Sequence, residues 1–215
     1  MVEAAMDYIR DPQEIYRESF ATIRREADLS GFPGGLGEIA VRVIHACGMV
    51  DIVDDLVMTP DAAEAGRAAL DNGCAIICDV EMVRHGIMRR LLPNETELLC
   101  NVGSEAAAQL AFERETTRSA AAIESLSDRL PGSIVAIGNA PTALFHLLEL
   151  LDRGLSPPAL IVAAPVGFVG AAESKESLIA DAGAIPHVVV RGRRGGSAMA
   201  ASIVNAIAGG LKTCT

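Results

Sequence analysis

Five short apolar runs punctuate the chain: AIICDV (75–80), ELLCNV (97–102), SIVAIG (133–138), ALIVAAP (159–165) and HVVVRG (187–192). Each is continuously apolar rather than alternating, and most end in Gly, Pro or a polar residue. A strand with one wet face alternates. A strand buried on both faces does not, so these runs point to a parallel sheet covered by helices on each side. Helix-like stretches over 104–129, 140–153, 172–182 and 196–209 lie between and after them. Strand and helix alternate, which predicts an α/β fold with a mostly parallel central sheet of about five strands and right-handed crossovers.

The first seventy residues read differently. PQEIYRESFATIRREADL and GEIAVRVIHACGMVDIVDDLV carry apolar residues at helical spacing, with Ile39, Val43, Cys47 and Val50 forming one stripe in the second. The intervening SGFPGG reads as a loop. An N-terminal helical pair is therefore expected before the sheet. No repeat, low-complexity tract or linker breaks the chain, so residues 1–215 are expected to form a single domain.

Composition bounds the partners. Half the residues are hydrophobic but only 3% are aromatic, so the core must be aliphatic. A formal net charge of -10 argues against nucleic acid or an anionic membrane as partner. An anionic ligand would need arginines gathered locally against that mean field. The five cysteines (Cys47, Cys74, Cys78, Cys100, Cys214) are scattered, and no histidine completes a zinc spacing near Cys74 and Cys78. Buried reduced thiols and no metal are expected. MVEAAMDYIRD lacks an apolar signal core and no apolar stretch approaches a membrane span, so a cytoplasmic location is expected.

Candidate chemistry centres on RVIHACG (42–48). Arg42 and His45 stand at i and i+3 and share a helix face. A histidine can give and recover a proton near neutrality. A neighbouring guanidinium disfavours the imidazolium unless an anion, such as a ligand carboxylate gripped by Arg42, lies between them. Alternatively, Arg42 is solvated or paired with Glu38 while His45 caps a backbone group. RETTRSAAA (114–122) sets Arg114 and Arg118 four apart, with Thr117 and Ser119 flanking Arg118. That is either a carboxylate cradle or an ordinary amphipathic helix.

Three glycine-containing turns, GNAPTAL (138–144), PVGFVGAAESK (165–175) and RGRRGGSAM (191–199), lead from strands into helices and could offer backbone N–H groups to an anion. GFVGAA lacks the full dinucleotide fingerprint, and no nucleotide phosphate-loop motif is present. Asn139 and Pro141 can simply shape a turn and start a helix. Lys175 is either a ligand-facing cation or a solvated helix residue. His85, amid Arg84, Arg89 and Arg90, is a second-rank candidate, whereas His146 and His187 read as structural.

RVIHACG, TRSAAA, AIGNAPTALFHLLE, PVGFVGAAESKE and RGRRGGSAMAA, in that order, resemble the precorrin-8X methylmutase (precorrin isomerase) family of cobalamin biosynthesis and corrin metabolism. The similarity runs from DYIRDPQEIY to the last helix. It implies an isomerase that moves a methyl group from a bridging carbon of a corrinoid to the adjacent carbon of ring C, giving hydrogenobyrinate. Such a shift is intramolecular and redox-neutral, so the resemblance implies no cofactor: no nicotinamide, methyl donor or catalytic metal. His45 matches the family's catalytic histidine, the proton donor and acceptor. Ser19, Arg42 and Arg118 match its contacts to a tetrapyrrole bearing several carboxylates, and Thr117 and Ser119 are expected to join Arg118. The resemblance also implies a homodimer with sites near the subunit interface. Met88 stands where several relatives carry Thr, which puts a polar contact there in doubt. HACG is closer to members acting on the metal-free substrate. A non-catalytic tetrapyrrole carrier and a Rossmann-like NAD-dependent oxidoreductase are the competing readings.

Overall fold

In the computed structural model, residues 8–93 and 95–209 are described. Cys214 and the first residues of the N-terminal stretch lie outside them. The sheet has six strands in the order β1-β6-β5-β4-β2-β3. These are β1 (Leu56–Met58), β2 (Ile76–Cys78), β3 (Leu98–Leu99), β4 (Ile134–Ile137), β5 (Leu160–Ala163) and β6 (His187–Val190). All pairings are parallel except β1 with β6, which is antiparallel. The five apolar runs are thus five strands, and the sixth is an edge strand that sequence reading had placed inside a helix.

Burial explains why the runs do not alternate. Every residue of β2, β4, β5 and β6 is buried. Along β4, Ile134 and Ala136 face one apolar cluster while Val135 and Ile137 face another. The first cluster is closed by α1 (Pro12–Glu26), α2 (Gly35–Cys47), α3 (Ala62–Asp71), α4 (Glu81–Gly86) and α9 (Ser197–Ala208). The second is closed by α6 (Arg118–Glu124), α7 (Pro141–Asp152) and α8 (Ala171–Asp181). Side chains one residue apart on a strand point to opposite faces, so an apolar residue is needed at each position.

Several helix boundaries differ from expectation. The second N-terminal helix stops at Cys47, where Gly48 adopts φ 70° and its N–H donates to the Ile44 carbonyl. Only glycine enters this left-handed cap without penalty. A short 3-10 turn (Val50–Asp55) then delivers β1. The expected helix over 104–129 is two: α5 (Glu105–Glu113) ends at Arg114, Glu115 takes φ 51°, and Thr117 caps α6. Helices α3 and α4 were not foreseen. At the start of α1, Asp11 accepts from the Gln13 N–H and Pro12 occupies the first turn, where no donor is lost.

Candidate active site

Two helices build the site. Helix α1 lies along α2, fixed by Phe20 and Ile23, which are buried in the first cluster, and by Arg24, whose guanidinium grips both oxygens of Glu38 at 2.8 and 2.7 Å. Glu38 is therefore not the partner of Arg42. Docking brings Ser19 Oγ to 2.8 Å from His45 Nδ1. The imidazole is exposed rather than a core group, and it stands against two rings: Phe20 edge-on at 5.1 Å and Tyr16 at 5.4 Å. With Nδ1 engaged by the hydroxyl, Nε2 has no hydrogen-bond partner among the described residues. Partial burial first and the Arg42 charge second hold the His45 pKa below its ordinary value, so the free imidazole is neutral at neutral pH.

His45 opens onto a groove of two connected lobes. One, of about 260 Å³, has a floor of small residues, among them Ala198, Ala201 and Ser202 of α9 and Gly86, with His45 and Arg42 on its wall. The other, of about 400 Å³, is lined by Arg17, Arg42 and Arg90 with Gln13 and Phe20, and carries no carboxylate in its lining. Tyr16, Arg42 and Met88 belong to both. Arg42 makes no ion pair among the described residues; its guanidinium lies 5.6 Å from the Phe20 ring centroid. A larger cavity of about 930 Å³ between α7 and α8 is lined by Glu149, Asp152 and Asp181 and no cation, which makes it unfit for an anion. In a chain of net charge -10, three arginines converge on the lobe beside the one that holds His45, and Arg42 is common to both.

The remaining sequence candidates fall elsewhere. Arg118 and Ser119 begin α6, across the sheet from His45, and do not share a groove with it in one chain. Thr117 is the α6 N-cap, accepting from the Ala120 N–H at 3.2 Å and meeting Thr142 Oγ1 at 2.7 Å. Arg114 reaches Glu124 at 3.4 Å rather than sharing a helix face with Arg118. His85 is solvent-facing, its Nδ1 held by the Glu81 carbonyl at 2.8 Å. Lys175 is neither ligand-facing nor solvated. It is fully buried, donating to the carbonyls of Pro165 at 3.0 Å and Arg194 at 2.8 Å, and burial lowers its pKa to about 8. Sequence reading missed Tyr16, Arg17 and Asn205. Asn205 is the one amide in the otherwise small and apolar α9; it accepts from the Met88 N–H and donates to the Gly86 carbonyl, fixing the segment above the groove.

The glycine turns are also accounted for internally. In an open parallel sheet, ligands favour the crevice where strand order reverses, here between β2 and β4. The Asp79 carboxylate fills it, accepting from the N–H groups of Gly138, Asn139 and Ala140 at 3.0, 2.8 and 2.7 Å. Burial raises the Asp79 pKa, opposed by those N–H donors. A phosphate would meet a carboxylate there, which removes the support for a nicotinamide nucleotide site. The other two turns are laced together: Gly196 N–H donates to the Ala164 carbonyl, and Gly167 N–H to that of Arg193. At Gly195 (φ 157°) a Cβ would lie 2.3 Å from the Ala164 oxygen, so only glycine fits. Arg191 and Arg194 are spent on Glu176 and on Asp51 and Asp55.

Fold and groove together define an α/β protein with a cation-walled groove, its candidate site, on a helical face rather than at the strand ends. The model of the precorrin-8X methylmutase family matches residues 14–209, and the chain belongs to that family. It is 60% identical over 203 residues to the precorrin-8X methylmutase of Pseudomonas aeruginosa strain PAO1, covering 94% of this chain and 98% of that one. Identity to the precorrin-8X methylmutase of a Sinorhizobium species is 52% over 202 residues, covering 94% and 96%. A crystal structure of precorrin-8X methylmutase from Thermus thermophilus superposes with a TM-score of 0.82 at 31% identity, over 91% of this chain and 94% of that one. The chain is accordingly an isomerase of cobalamin biosynthesis.

Proposed function

We propose that this isomerase converts metal-free precorrin-8X to hydrogenobyrinate, with His45 as the proton donor and acceptor. The observation that carries the proposal is the joining of one unblocked imidazole to an arginine-walled, small-floored groove. A corrinoid is a large flat ring fringed by carboxylates, and Ala198, Ala201 and Gly86 leave room for its face. In the reaction the σ bond from the migrating methyl to the bridging carbon breaks as one to the ring C carbon forms. No atom enters or leaves. His45 lends a proton to the conjugated system, or holds one on the ring C nitrogen, and recovers it afterwards. Arg42 binds a carboxylate, whose charge offsets the repulsion between the guanidinium and the imidazolium. Ser19 orients the ring through Nδ1. The metal-free substrate is favoured because the two relatives of highest identity above carry the precorrin-8X name. The test is visible absorption of purified protein with precorrin-8X, beside His45→Ala. Turnover in the wild type and a loss on the order of a hundredfold or more in the variant, with product still bound, supports the reading. Equal turnover removes His45 from the chemistry; binding without turnover in both sends the test to cobalt-precorrin-8, and only binding without turnover there as well identifies a carrier.

The active form proposed is a cytoplasmic homodimer in which a second copy supplies Arg118, with Ser119 beside it, to the groove holding His45. The placement of these groups on opposite sides of the sheet supports this, since within one chain they line no common groove. Tyr16 and Ile15 on α1 and Phe112 on α5 are exposed apolar side chains that a second copy would cover. Mixing His45→Ala with Arg118→Ala checks it: random re-pairing should restore about a quarter of wild-type turnover, because half the dimers then carry one intact site of two. No recovery on mixing assigns both residues to one chain's site or none.

A further inference from the structure

The groove is longer than its proton-active end. His45 belongs to one lobe only, whereas the other is walled by Arg17 and Arg90, with Arg42 at the seam. Neither Arg17 nor Arg90 stands among the residues matched above to substrate contacts. The two come from different elements, α1 and the short turn Arg89–Leu91, so helical periodicity does not account for their meeting.

Their surroundings differ from those of ordinary surface arginines. Arg89, next in sequence, is spent on the Thr96 carbonyl, while Arg90 makes no ion pair among the described residues, its side chain donating there to the Met88 sulfur at 3.5 Å. Arg17 holds Glu14 at 3.2 Å in an exposed pair, an arrangement worth little in water and readily exchanged for another carboxylate. Asn205, nearly buried, clamps Gly86 and Met88 and so sets where the turn bearing Arg90 begins. Gln13 adds an amide to the same wall. The lining thus offers two guanidinium groups and an amide beyond Arg42, and no acid.

From this the geometry points to a second carboxylate subsite, formed by Arg90 and Arg17, that holds a side-chain carboxylate of the corrinoid remote from the carbon at which the methyl moves. The inference rests on the corrinoid reading of the groove. Arg42 anchors the ligand beside His45, and Arg90 with Arg17 anchor its far edge, so the macrocycle is held at two places and cannot turn about the first. Arg90 and Arg17 serve substrate positioning and selectivity for the free acid; they take no part in proton transfer.

The experiment uses the full chain and hydrogenobyrinate, titrated by visible absorption at several salt concentrations. The wild type comes first. If it neither binds hydrogenobyrinate nor converts precorrin-8X, the corrinoid reading of the groove fails before the subsite is at issue. If it binds, Arg90→Gln and Arg17→Gln should each weaken binding roughly fivefold to tenfold at low salt, the scale of one charge-assisted contact at a partly exposed rim. The dependence on salt should flatten, KM should rise with kcat held within about twofold, and Arg90→Lys should recover part of the loss. Unchanged affinity and salt dependence in both glutamine variants, in a wild type that binds, would overturn the subsite. A fall in kcat with KM unchanged would also overturn it, by placing these arginines in the chemistry.

Discussion

Two places in this molecule are shaped for an anion, and they have opposite fates. At the switch between β2 and β4, backbone N–H groups converge as they do in nucleotide-binding folds, but Asp79 occupies them. On the α1–α2–α9 face, arginine side chains converge and no carboxylate of the described chain answers Arg42 or Arg90. The first is a closed structural device and the second an open site. Donors filled from within stabilise the fold, whereas donors left open are available to a ligand. At the strand-end crevice, the default position in open α/β sheets, the donors are already taken by Asp79.

Emptying the closed place should have the largest effect. Asp79→Ala leaves three N–H groups without an acceptor, those of Gly138 and Ala140 buried, and should lower stability by about 3 kcal/mol, read by denaturant unfolding. Asp79→Asn, which keeps one acceptor oxygen, should lose less. If Asp79→Ala unfolds like the wild type, the contrast between the two places collapses.

Charge at the open place should respond to pH through His45. Its pKa is lowered in the free protein, and a bound polyanion pushes it up, so binding takes up a proton. Hydrogenobyrinate affinity should strengthen as pH falls toward and below the ordinary histidine value of 6.5, and His45→Ala should flatten that rise. Isothermal titration in two buffers of different ionisation enthalpy counts the proton directly. The same slope in both proteins would contradict the assignment.

Lys175 sharpens the comparison, because a buried amine holds the two laced loops without facing a ligand. Below about 8 the folded chain carries a buried ammonium. Between about 8 and the ordinary 10.5 the unfolded chain keeps a proton that the folded chain has lost. This group therefore contributes stability that rises with pH across the window. The neutral amine still has two N–H donors for the carbonyls of Pro165 and Arg194. The wild-type stability minus that of Lys175→Met should climb between those pH values, and a flat difference would contradict the buried placement. The smallest expected effect is at Thr117: Thr117→Ala should cost about 1 kcal/mol as a lost N-cap, and Thr117→Ser should be nearly silent.

The sequence made the sheet legible because burial on both faces leaves a mark on every residue of β2, β4, β5 and β6. It hid β1 because three residues on an antiparallel edge follow a 3-10 turn that continues the helical spacing of α2. The break between α5 and α6 carries no Gly or Pro; a single positive φ at Glu115 marks it. Arg42 and His45 were legible as neighbours on a helix, but their partners were not. Ser19 meets His45 only through helix packing, and Glu38 is claimed by Arg24 from another helix. Lys175 was misread because its two acceptors lie on loops 10 and 19 residues away in the chain. RETTRSAAA read as either a carboxylate cradle or one amphipathic helix, and the fold breaks it into two helices with Thr117 capping the second.

The central claim is that the ligand occupies the arginine-walled groove rather than the strand-end crevice. A crystal structure of the protein soaked with hydrogenobyrinate tests this most directly. The account predicts corrin density over Ala198 and Ala201, with His45 Nε2 facing the ring and a carboxylate on Arg42. Density at the β4–α7 turn, with Asp79 displaced from its three N–H groups, would contradict it.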